Sequence, residues 1–89
     1  MGLFNDSVKY YYNNNLIEVE ARTTFGEIEY NLILNNSKID TIKGFLGNMT
    51  LRGNLTNNNT KIPFIIRIKQ SVLGAKYFLE INDNSFKMI

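Results

Sequence analysis

From Leu16 to Asn82 the chain alternates apolar and polar residues with a period of two, the spacing of a half-buried β-strand. Ile17, Val19 and Ala21 lie on one side of the segment Leu16 to Arg22, and Glu18, Glu20 and Arg22 on the other. Thr23-Thr24-Phe25-Gly26 is a turn signal, and Glu27 to Leu34 repeats the alternation with Ile28, Tyr30, Leu32 and Leu34 inward. If those four residues close a hairpin, Arg22 stands opposite Glu27 and Glu20 opposite Glu29, the second an unfavourable like-charge pair. Val8, Tyr10 and Tyr12 form a preceding strand, turned at Asn13 to Leu16 so that Tyr10 faces Val19.

Asn35-Asn36-Ser37 interrupts the pattern. In Lys38 to Leu46, Ile39, Ile42 and Phe45 or Leu46 fall at helical spacing, Ser37 can cap a helix, and Gly44 and Gly47 can end it. The β-branched Ile39, Thr41 and Ile42 argue for a strand instead; the spacing predicts a short helix. In the second half Met49, Leu51, Gly53 and Leu55 alternate on one strand, and Ile62, Phe64, Ile66 and Ile68 on the next, across a loop from Thr56 to Lys61. Pairing Leu55 with Ile62 sets Phe64 over Gly53, and Pro63, with no N–H to donate, belongs at an edge or beside the loop. A turn at Leu73-Gly74 pairs Ile68 with Leu79, Arg67 with Glu80 and Lys69 with Phe78, and Phe86 and Met88 supply a last short strand. The expected fold is all-β and mainly antiparallel: a single domain over 1–89, a small meander barrel or sandwich of about seven to eight short strands, with one short helix near 38–46.

Composition narrows the chemistry. In 89 residues there is no histidine, cysteine or tryptophan, which removes thiol and imidazole nucleophiles, bases and metal ligands. The only carboxylate cluster, Glu18, Glu20, Glu27 and Glu29, lies on the outward face of one hairpin with no cleft implied, so it reads as a solvated face or an ionic interface. Neither catalysis nor a metal or other cofactor is expected. The glycines fit neither the dinucleotide nor the P-loop spacing. The start, Met1-Gly2-Leu3-Phe4-Asn5-Asp6, has no basic region and no apolar run of signal-peptide length, so the expected location is the cytoplasm, with no membrane partner. The runs Asn13 to Asn15 and Asn57 to Asn59 suit loops, because asparagine tolerates left-handed backbone.

The formal net charge is +2, with the first half of the chain acidic and the second half basic. Arg52, Arg67 and Lys69 point outward from neighbouring strands near Phe78, a combination of cations and an aromatic that suits an anionic, stackable ligand, with Tyr11 a further candidate. Tyr11, Ile33, Ile65 and Phe78 are large apolar groups at positions where alternation demands polar ones. This favours a homo-oligomer in which Glu20 and Glu29 of one copy meet Arg67 or Lys69 of another, with Ile33 and Ile65 in the interface. The resulting expectation is a non-enzymatic binding protein of a kind that suits a phage or mobile element, blocking a protein target or sequestering a small anionic ligand such as a nucleotide. The alternative is a small β barrel that binds single-stranded nucleic acid.

Leu51-Arg52-Gly53-Asn54-Leu55-Thr56 followed by Thr60-Lys61-Ile62-Pro63-Phe64 resembles the strand-turn-strand signature of the YceI-like lipid-binding barrels. The chain departs from that signature by placing Ile62 between lysine and proline and asparagine where the family turns on glycine, and it is much shorter than the family barrel. The resemblance implies an isoprenoid-type apolar ligand held inside a barrel, whereas strands this short are expected to fill their interior with side chains.

Overall fold

The computed structural model describes residues 5–88, so Met1 to Phe4, on which the reading of the chain start partly rests, lie outside it. Among the described residues eight strands follow one another without a helix. β1 (Asn5–Tyr12), β2 (Asn15–Thr23), β3 (Ile28–Leu34) and β4 (Ser37–Gly44) form one antiparallel sheet in chain order. β5 (Gly47–Asn57), β6 (Thr60–Ser71), β7 (Gly74–Ile81) and β8 (Asn84–Met88) form the second in the same way. The sheets pack face to face, and the fully buried side chains between them come from both: Ile17, Val19, Tyr30 and Leu32 from the first, Leu51, Leu55, Ile66, Ile68, Tyr77 and Leu79 from the second. Each such aliphatic or aromatic side chain contributes about 1.5–3 kcal/mol when removed from water.

The two open sides of the sandwich are sealed differently. Along β4 and β5 the Arg52 backbone N–H donates to Asp40 Oδ2 at 2.8 Å, which satisfies an edge group that would otherwise invite pairing with another chain. Along β1 and β8 the ring of Phe86 lies 5.3 Å from that of Tyr10 and 6.4 Å from that of Tyr12, and Asn82 Nδ2 donates to the Tyr12 hydroxyl. Across the middle, the buried Tyr30 hydroxyl donates to Gln70 Oε1 at 2.6 Å and ties the sheets together. With the interior occupied by these side chains, the described residues enclose no barrel space of the kind that the lipid-binding resemblance implies.

The expected helix at 38–46 is a strand and a corner. Register shifts between Leu32, opposite Asp40, and Ile33, opposite Lys38, so Ile39 is an extra residue in a β-bulge. The bulge turns Ile39 toward the second sheet, where its Cδ1 meets Gly53, while Ile42 stands opposite the inward Tyr30. Two apolar residues three apart thus reproduce helical spacing within a strand.

Three hairpin registers differ from expectation by two residues, and one agrees. Thr23 continues β2 opposite Ile28, and Thr24 N–H donates to the Glu27 carbonyl, so Arg22 faces Glu29 and Glu20 faces Asn31; the expected acidic pair does not exist. Asn13-Asn14 alone close the first hairpin, which sets Tyr10 against Ile17 and Val8 against Val19. Val72-Leu73 form the β6–β7 turn, so Arg67 faces Phe78, Lys69 faces Lys76, and Ile68 faces Tyr77. A two-residue slip leaves every side chain on its own face, which is why inside and outside were assigned correctly along these strands. In β5 and β6, Leu55 faces Ile62 and Gly53 faces Phe64 as the pattern requires, and Pro63 lies just beyond the last β6–β7 pair.

Candidate anion-binding face

The outward side of the second sheet carries most of the chain's cations. Its cross-strand rows follow from the registers: Thr50, Arg67, Phe78 and Lys87 stand side by side across all four strands. One row toward the β6–β7 turn come Asn48, Lys69 and Lys76, and one row the other way Arg52, Ile65, Glu80 and Ser85. Neighbouring strands are ~4.8 Å apart, so the central row spans about 14 Å, and the flanking rows lie about 7 Å to either side.

Phe78 sits at the middle of this array. Arg67 is directly opposite on one side and Lys87 on the other, and Lys69 Nζ stands 5.5 Å from the ring centroid. The ring is half-buried among them, with one aromatic face shared with a cation. Arg67 Nε donates to Glu80 Oε2, a diagonal contact that realises the expected pair although Glu80 is not its direct neighbour. Lys69 and Lys76 are directly opposed like charges, an arrangement that costs stability in an isolated sheet.

The sequence-derived set divides in two. Arg52, Arg67, Lys69, Phe78 and Ile65 share this face, with Arg52 one row away from Phe78 and two strands distant. Tyr11 does not belong with them: β1 lies in the other sheet, and Tyr11, 72% exposed, faces the opposite side of the sandwich beside Leu16. Glu20, Glu29 and Ile33 are likewise on the outer side of the first sheet, so the expected interface residues do not form one patch with Ile65. Glu29 is already engaged: Asn31 Nδ2 donates to it at 3.0 Å and Arg22 stands 3.6 Å away, and that hydrogen bond with the nearby cations holds its carboxyl below the ordinary carboxylate range. Glu18 is 3.9 Å from Lys9, and no group of three metal-ligating side chains forms among the described residues.

Lys76 and Lys87 are the members that sequence reading missed. Lys87 required the register of β8, for which no pairing could be assigned, and Lys76 was displaced by the two-residue slip at the β6–β7 turn. Among the described residues no helix is long and apolar enough to cross a membrane. Compared with family models, curated proteins and solved structures, the chain matches none.

Proposed function

We propose that this chain is a non-catalytic binding domain that takes an extended, phosphate-bearing polymer of the single-stranded nucleic-acid type across the outer face of its second sheet. The observation that carries this reading is Phe78, held in the centre of a sheet face with Arg67 and Lys87 opposite it and Lys69 over its ring. Cations neutralise phosphates, and the exposed part of the ring offers a base a surface to stack on without reading sequence. Because the charges are spread over four strands rather than gathered in one concavity, the face suits a polymer better than a single nucleotide, which needs a pocket around it.

The test is fluorescence anisotropy of a labelled single-stranded oligonucleotide titrated with the protein over a series of salt concentrations. The wild type should bind at low salt with affinity falling steeply as salt rises. Phe78→Ala should weaken binding about tenfold or more, and Lys87→Gln should reduce the slope of log affinity against log salt by ~0.7. Tyr11→Ala, on the opposite face, should leave binding unchanged. Absence of binding at low salt, or equal affinity in the Phe78 and Lys87 variants, would overturn the reading.

A further inference from the structure

The two ends of the sandwich differ in chemistry. In an antiparallel meander alternate connections fall at the same end, and at one end all four are two-residue polar turns, Asn13-Asn14, Asn35-Asn36, Asn58-Asn59 and Asn82-Asp83, every residue with positive φ. At the other end the tips are apolar: Phe25 between β2 and β3, Phe45-Leu46 between β4 and β5, and Val72-Leu73 between β6 and β7. Phe25 and Leu73 are as exposed as side chains become, at 103% and 96%, and Val72 follows at 84%. The β4–β5 and β6–β7 tips line one cleft with Ile28, which shows that the loops of both sheets converge.

Five large apolar side chains protruding from one end of so small a domain are not explained by its own core, which is complete without them. A ring of charge stands behind them. Lys43 precedes Phe45 by two residues, Lys69 precedes Val72 by three, and Lys76 follows Leu73 by three, so the ammonium groups originate about 7–10 Å behind the tips. Lys69 and Lys76 line a second concavity together with Asn48, Ser71 and Leu73, and their direct opposition becomes favourable when an anion lies between them.

We infer that this end docks on an anionic membrane surface, the tips entering the acyl boundary and Lys43, Lys69 and Lys76 meeting lipid phosphates. The spacing fits: apolar groups of surface-bound segments sink about 5–10 Å into the interface, the same depth that separates these tips from their cations. Charge also selects this occupant over a second copy, because two such ends brought together would oppose Lys69 and Lys76 with their own like; the loops carry one carboxylate, Glu27, and Glu29 behind them is already engaged by Asn31, Arg22 and the Lys43 opposite it. No long apolar run signals the site, since its residues are contributed one or two at a time by three loops. The inference is independent of the nucleic-acid reading, with which it shares only the Lys69 and Lys76 row.

The experiment is cosedimentation of the full chain with vesicles of phosphatidylcholine alone and of phosphatidylcholine with roughly 30% phosphatidylserine. The wild type should pellet with the anionic vesicles and much less with the neutral ones. Leu73→Ser and Phe25→Ser should each lower partitioning about tenfold or more; both positions are solvent-exposed, and circular dichroism checks that the fold is intact. Lys76→Gln should weaken binding to the anionic vesicles only, and Tyr11→Ala, beside the polar turns at the opposite end, should leave it unchanged. Three results would overturn the inference: failure to bind either vesicle, equal partitioning of the Leu73 variant and the wild type, or sedimentation velocity showing a dimer that Leu73→Ser dissolves while vesicles remain unbound.

Discussion

Gly53 shows how far a single position can be reasoned about. Alternation places it on an inward face opposite Phe64, where glycine leaves room that a neighbouring ring can take, and the structure agrees. A Cβ at Gly53 would lie 2.8 Å from Phe64 Cζ, but also 2.6 Å from Ile39 Cδ1, a contact that no local pattern announces because it joins the two sheets. Gly53→Ala should therefore destabilise the fold by ~1–3 kcal/mol through overpacking, despite the better strand propensity of alanine. Denaturant unfolding should show a lowered midpoint in that variant and partial recovery when Ile39→Val is added; an unchanged midpoint for Gly53→Ala would mean that the contact is not confining. Phe78 is the converse case, a position recognised from sequence because a large ring occurred where a polar residue was due, yet whose partners Arg67 and Lys87 needed the registers to be found.

At the scale of elements, the hairpins are organised by asparagine. Each polar turn holds two consecutive residues in left-handed backbone, the conformation that a tight hairpin requires and that asparagine accepts more readily than most side chains. The Asn35 turn adds tertiary work: Asn35 Oδ1 accepts from the Leu16 N–H at 2.8 Å, its Nδ2 donates to Asn15 Oδ1 at 2.9 Å, and its own N–H donates to the Leu16 carbonyl. Asn35→Ala should cost about 2–4 kcal/mol, the sum of left-handed strain and two lost side-chain bonds. Asn59→Gly, at φ 64 and with no such role, should be neutral or raise stability by up to about 1 kcal/mol. Thermal melts of the two variants should move in opposite directions, and equal shifts would refute the special role of Asn35. The asparagine runs were readable as loops; that two residues suffice in each turn was not, because neighbouring asparagines fit loops of several lengths. The β4 bulge was equally hidden, since inserting Ile39 converts a period of two into apparent helical spacing.

For the whole molecule, two buried tyrosines link stability to pH. Burial pushes the Tyr30 hydroxyl up to about 12, and burial, with Asp6 beside it, raises that of Tyr77. The two rings meet edge to face at 6.5 Å in the core. Both groups are held protonated in the folded state and titrate at lower pH once unfolded, so their contribution is complete below pH 10 and declines above it, the Tyr30 part being lost as pH rises through about 12 and the Tyr77 part at higher pH still. Alkaline unfolding followed by circular dichroism should show this decline, and Tyr77→Phe should make it shallower because it removes one of the two groups that titrate. A Tyr77→Phe protein with the same alkaline profile as the wild type would contradict the assignment.

Strand class, the inward face of nearly every strand and the β5–β6 register were all present in the order of residues, because side chains alternate with a period of two and a register slip of two preserves that alternation. Three things came only from the folded chain. The sheets had to pack before Ile39 could reach Gly53; the registers had to close before Lys76 and Lys87 joined Arg67 and Lys69 around Phe78; and the meander had to stack before Phe25, Phe45, Leu46, Val72 and Leu73 met at one end. Each brings together residues far apart in the chain, and local periodicity carries no information about distance across a core.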